Sequence, residues 1–135
     1  MHDKILIPVA IDHEPVVAQK IEVARKLLNP GGKITLLTVL EAVSGFVAEF
    51  VTVKSENHLT QRIQSRLEEA AGGADDIDCQ VITGKPGVEI TRFAADEGCG
   101  LIIVGSHRPG VEDYFLGSTA SRVVRRSPCS VYVLR

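Results

Sequence analysis

The chain lacks a paired cysteine motif, an excess of charge, a long apolar run and a P-loop signature, and each absence removes a class of function. Its three cysteines, Cys79, Cys99 and Cys129, are odd in number and have no Cys-x-x-Cys spacing. They read as reduced, buried small hydrophobes rather than a disulfide framework or a thiolate metal site. The alternative is a reactive thiol at Cys129, beside a helix end. A net charge of −2 offers no basic patch, so neither nucleic acid nor a membrane surface is an expected partner. No stretch approaches the about 18 apolar residues that would suggest a membrane span. A strand pattern follows directly on residues 1–4, so no signal peptide is expected and the expected location is cytoplasmic. No Gly-x-x-x-x-Gly-Lys-Ser/Thr occurs, which excludes the P-loop mechanism. His2, His13, His58 and His107 are scattered, and neither a metal-ligand cluster nor a nucleophile elbow stands out, so no metal ligands and no catalytic residues are assigned.

What is present fits one domain over residues 1–135, 44 % hydrophobic and 24 % charged. Residues 4–9 form a short apolar strand. Val17, Ile21, Ala24 and Leu28 recur at helical spacing until Asn29-Pro30-Gly31-Gly32 stops the helix. Residues 34–40 read as the second strand. Leu59, Ile63, Leu67 and Ala70 mark the inner face of a second helix that ends at Gly72-Gly73. Residues 77–82, 101–104 and 130–134 read as strands. Ile90, Phe93 and Ala94, then Ala120, Val123 and Val124, mark the inner faces of two more helices, and Pro128 breaks the last. Strands alternating with helices predict parallel pairing through right-handed crossovers, an α/β doubly wound sheet. The first and fourth strands are almost wholly apolar, as strands covered on both faces should be. Residues 41–55, with Phe46 and Phe50 but no clean period, read either as an irregular loop over the sheet edge or as a lid over a ligand.

The stretch richest in chemistry is Gly105-Ser-His-Arg-Pro-Gly-Val-Glu-Asp-Tyr-Phe-Leu-Gly-Ser118, between the apolar run Leu101-Ile-Ile-Val104 and a helical segment. Glycines allow close backbone approach, and the free amides and dipole of a helix start attract an anion. The expected ligand is a nucleotide, ATP above all.

Taken together, the residues resemble the universal stress protein family over the whole chain. The resemblance is carried by Lys4-Ile-Leu-Ile-Pro8, Leu36-Leu-Thr-Val39, Gly84-Lys-Pro86, Ile102-Ile-Val-Gly-Ser-His107, Leu116-Gly-Ser118 and Ser127-Pro-Cys-Ser-Val-Tyr-Val-Leu134. It implies a Rossmann-like, five-stranded parallel sheet in order 3-2-1-4-5, of the adenine nucleotide alpha hydrolase-like kind. It further implies a homodimer built on the last strand and a stress-response role. The family's ATP binders carry Gly, two residues, Gly, nine residues, then Gly-Ser or Gly-Thr. Gly105 and Gly117-Ser118 match that pattern, whereas Arg108 stands at the second glycine and the loop is one residue short. This shortened Gly-Ser-His-Arg-Pro loop is similar to the family's F-like subgroup, whose members are thought to hold a nucleotide. ATP binders also carry Pro-x-Asp at the end of the first strand. Here Pro8-Val9-Ala10 stands there, with Asp12 the next acid.

The candidate binding set is therefore Pro8, Val9, Ala10, Asp12, Val39, Val104, Gly105, His107, Arg108, Gly110, Gly117, Ser118 and Thr119. The resemblance makes Val39 an adenine contact, and the turn at Pro86 would close the far side of the base. Ser118 is read as a helix N-cap, alone or also donating to a phosphate. Arg108 is either a phosphate ligand or a surface charge. His107 reads as a loop residue rather than a base. Arg122, Arg125 and Arg126 read as a solvated face. Three functions follow. The first is a homodimer that holds ATP or AMP, with Mg²⁺ carried on the phosphates, and that signals to an unidentified protein partner. The second is a slow ATPase or autophosphorylating protein with Ser118 or Ser106 as acceptor. The third is a dimeric interaction protein without nucleotide. Ser130, Val131, Tyr132, Val133 and Leu134 would form the dimer strand, because an edge strand exposes backbone groups that a two-fold copy can pair.

Overall fold

The computed structural model describes residues 1–10, 14–41, 53–106 and 116–135. Asp12, His107, Arg108, Gly110 and most of the 41–55 segment lie outside them. Among the described residues nine elements follow in order: β1 His2–Pro8, α1 Glu14–Leu27, β2 Leu28–Leu40, α2 Val53–Ala71, β3 Ile77–Thr83, α3 Pro86–Glu97, β4 Leu101–Gly105, α4 Ser118–Arg126 and β5 Ser130–Leu134. The five strands form one parallel sheet in the order β3-β2-β1-β4-β5. The parallel, doubly wound arrangement is the one the strand–helix alternation predicts, and its order is the one the family resemblance implies.

Strand alternation divides the core into two layers. Ile5, Ile7, Ile34, Leu36, Leu101 and Ile103 face one way and pack on Val17 and Ala24 of α1 and Ile63 and Leu67 of α2. Leu6, Leu37, Ile102 and Val104 face the other way, onto Ile90 and Ala94 of α3 and Ala120 and Val123 of α4. Because both faces are covered, β1 and β4 can carry consecutive apolar residues, and Ile5 to Ile7 and Leu101 to Val104 are all buried. The chain winds outward through β1, β2 and β3, then returns to the other side of β1 for β4. The sheet order therefore reverses between β1 and β4, and their carboxyl ends part there.

Several sequence expectations are corrected. Asn29-Pro30-Gly31-Gly32 does not separate helix from strand. β2 already runs through it, with Leu28 in the strand rather than the helix. The strand tolerates this because the register shifts there, from His2↔Leu28 to Lys4↔Lys33, and pairing with β3 begins only at Ile34. Pro30 thus sits where only one edge of the strand is occupied, and Gly31 takes the left-handed φ of 81° that the bulge requires. Leu59 and Val124 are 45 % and 43 % exposed, and Ala70 is exposed too, so none of the three belongs to an inner face. Of the cysteines only Cys99 is buried, while Cys79 and Cys129 are half-buried, and all three are free thiols. Burial pushes the Cys99 thiol up to about 11, out of the range of a reactive thiolate. Among the described residues no helix is long and apolar enough to cross a membrane.

Candidate functional site

The carboxyl ends of β1 and β4 and the start of α4 gather most of the described candidate residues at one edge of the sheet. The chain after β1 is held tightly. Val9 donates its N–H to Leu37 O at 2.8 Å, extending the β1–β2 ladder past Pro8, and buried Thr38 donates its hydroxyl to Val9 O at 2.9 Å. Val9 is buried and Ala10 exposed, so the chain turns from core to solvent in one step. Ala10 offers no side-chain oxygen, so its part in any recognition is limited to backbone and a methyl surface.

On the other side, Gly105 ends β4 and Ser106 is buried, with its N–H donating to Leu134 O at 3.0 Å. Val104 turns its side chain into the α3/α4 layer, and Val39 packs half-buried against the same layer. Both are left with their backbones for any ligand. Pro86 is not a free turn but the first residue of α3. The adjacent Gly87 lies against Arg122, where an added Cβ would fall 2.6 Å from Arg122 Cδ. Arg122, Arg125 and Arg126 are exposed, in keeping with a solvated face.

The start of α4 differs from the sequence reading. Gly117, not Ser118, occupies the N-cap position, and no side chain caps the helix. The Gly117 carbonyl accepts the first helical bond, from Ser121 N at 2.8 Å. Glycine ranks below serine as a cap, but a cap without a side chain leaves the first-turn amides to other partners. Those of Ser118, Thr119 and Ala120 have no helical carbonyl within reach. Ser118 is exposed and Thr119 half-buried, so this end of α4 faces outward with its positive dipole uncapped.

Two features were missed by sequence reasoning. The first is a cavity of about 290 Å³ between α1 and α2, at the ends of β1 and β2, whose walls include Val9, Ala10, Val17, Thr38, Ile63 and Leu67. It lies at the ends of the first two strands, but of the residues expected around a base only Val9 lines it, and α2 supplies a wall that the sequence did not suggest. The second is Lys20. It is 6 % exposed, and its ammonium donates to Pro8 O at 3.2 Å. A methyl placed on Gly105 would lie 3.5 Å from Lys20 Cε and 3.6 Å from Nζ. The signal was present in the spacing, because Lys20 falls three residues after Val17 and four before Ala24, inside the apolar stripe of α1.

Burial lowers the pKa of Lys20 below its ordinary 10.5. Between the lowered value and 10.5 the unfolded chain holds a proton that the folded protein does not, so folding stability gains with rising pH in that window. Lys20→Met removes the gain. Urea midpoints of the two proteins, compared across the alkaline range, should converge as pH rises, with the variant the more stable at neutral pH.

The geometry has counterparts among known proteins. Universal stress protein MJ0577 of Methanocaldococcus jannaschii is 28 % identical over 156 aligned positions, which take in 100 % of this chain and 96 % of that protein. The solved structure of MJ0577 superposes with a TM-score of 0.79 at 26 % identity, covering 99 % of this chain and 96 % of the other. A universal stress protein solved in complex with cAMP (TM-score 0.65, 18 % identity, coverage 99 % and 97 %) shares the fold. So does one from Archaeoglobus fulgidus solved with dAMP (TM-score 0.65, 14 % identity, coverage 98 % and 97 %). The model of the universal stress protein family matches residues 1–135, the whole length, and the chain belongs to that family.

Proposed function

We propose that this protein binds an adenine nucleotide, ATP or AMP, at the carboxyl edge of the sheet between β1 and β4, and acts as a homodimeric regulatory module in the cytoplasmic response to stress. The observation that carries the reading is the uncapped start of α4, which follows β4 at the sheet's switch point; the cavity of about 290 Å³ lies at the ends of β1 and β2 on the α1/α2 face. The cavity is near the lower end of the size that encloses a small ligand, about 300 Å³, and its mostly apolar walls, with Thr38, Arg66 and Glu69 among them, suit a purine. The first-turn amides suit a phosphate. The relatives solved with cAMP and dAMP support an adenine ligand in particular.

In this reading Pro8, Val9, Ala10 and Val39 border the base and ribose. Val104, Gly105, Gly117, Ser118 and Thr119 offer backbone to the phosphates, and Asp12, His107, Arg108 and Gly110 complete the set from the connecting loops. The shortened Gly-Ser-His-Arg-Pro loop supports a reading within the F-like subgroup, and in this reading residues 1–135 act as one domain. Any Mg²⁺ arrives on the phosphates of ATP. The dimer forms through β5, which lies at the sheet edge and pairs only with β4 among the described residues. Tyr132 on that strand is 39 % exposed, and an open edge of this kind is satisfied by a second copy.

Mass spectrometry of small molecules released from freshly purified protein tests the ligand. Recovery of ATP or AMP in amounts near one per chain supports the reading. Protein free of adenine nucleotide that also shows no thermal shift with millimolar ATP or AMP overturns it.

A further inference from the structure

We infer that Lys20 is the residue that makes this site prefer nucleotides over nucleosides, its ammonium neutralising the ligand's phosphate where β1 and β4 part. The inference deepens the adenine-nucleotide reading and rests on it. An ammonium has three N–H donors, and a buried cation is costly unless an anion or several acceptors surround it. Yet Lys20 reaches only one acceptor among the described residues, the uncharged Pro8 carbonyl, at 3.2 Å. Nothing in the packing of α1 requires a charge there. Its stripe neighbours Val17, Ile21 and Ala24 are apolar, and a methionine would fill the same volume without desolvating an ion.

Its position supplies the reason for keeping it. The side chain runs from α1 to the end of β1 and lies against Gly105, close enough that a single methyl there would be in van der Waals contact. Glycine at this position puts no side chain between the ammonium and the end of β4. A phosphate between Gly105 and the first turn of α4 receives backbone amides from the helix and a charge-assisted bond from Lys20. Backbone amides give the phosphate hydrogen bonds, and a fixed, largely buried cation adds a charge interaction that an uncharged nucleoside cannot make.

The test is calorimetric titration of the intact protein and of Lys20→Met with adenosine, AMP and ATP. Lys20→Met should weaken AMP and ATP by about tenfold or more while leaving adenosine within about twofold. Equal weakening of all three ligands, or of none, overturns the role of Lys20. A wild-type protein that binds none of them overturns the nucleotide reading itself, so the two failures are distinct. A second measurement uses wild-type protein alone, labelled with ¹³C and ¹⁵N. AMP should move the Lys20 Cε resonance and adenosine should not. A resonance unmoved by bound AMP, or moved equally by adenosine, contradicts the assignment.

Discussion

Gly105→Leu should weaken adenine-nucleotide binding by about a hundredfold or more while the protein stays folded. The backbone at Gly105 has no positive φ, so a larger residue meets no conformational strain there. The added Cβ would meet Lys20 at 3.5 and 3.6 Å, ordinary contact distances. Gly105→Ala should therefore be tolerated and bind with little change. The further atoms of leucine have to occupy the opening that Lys20 and the phosphate share, or drive the ammonium from Pro8 O. The expected loss is about a hundredfold or more in affinity, about 2.7 kcal/mol, read by calorimetry with AMP. The thermal midpoint should move by no more than a few degrees. A Gly105→Leu protein that binds AMP as the wild type does would remove the crevice from the account.

The largest effect on stability should come from emptying both core layers at once. Leu36 and Ile102 are both fully buried, but Leu36 packs under α1 and α2 while Ile102 packs under α3 and α4. Each truncation to alanine should cost about 3 kcal/mol, from lost transfer energy and the cavity left behind. The two residues lie on opposite faces and on strands separated by β1, about 9.5 Å apart across the sheet. Their costs should therefore add to about 6 kcal/mol. That equals or exceeds the stability of many domains, about 5–15 kcal/mol in all. Urea unfolding should show each single variant folded with a lower midpoint and the double variant wholly or largely unfolded. A double variant little worse than either single one would mean that the layers are not independent.

How far the fold and site could be read from the sequence depended on the kind of signal. The apolar runs in β1 and β4 are too short for a buried helix and fit a strand covered on both faces, so the doubly wound arrangement followed from them and from the helix spacings. Val124 misled because it is chemically like Val123 yet lies about 100° away around a helix that touches the sheet along a narrow stripe. Asn29-Pro30-Gly31-Gly32 misled because the stop signal is real for the helix but does not forbid a bulged strand before β3 begins to pair. At the site, Gly117 and Ser118 are both good caps, and propensity favoured the wrong one by a margin that backbone geometry readily overrides. Lys20 was passed over because its identity reads as surface, although its spacing reads as core. The sequence pattern put the carboxyl ends of the strands within one residue of those observed, but the wall supplied by α2 depends on how the helices pack.

The central claim is that an adenine nucleotide sits between the ends of β1 and β4 and the start of α4. The most direct measurement is an amide ¹H–¹⁵N titration of the uniformly labelled protein with AMP up to millimolar concentration. The account predicts saturable shifts at Val9, Ala10, Gly105, Ser106, Ser118 and Thr119, with little change along the outer edge of β3 around Asp78 and Gln80. Shifts concentrated on that outer edge, or none at saturating AMP, would contradict it.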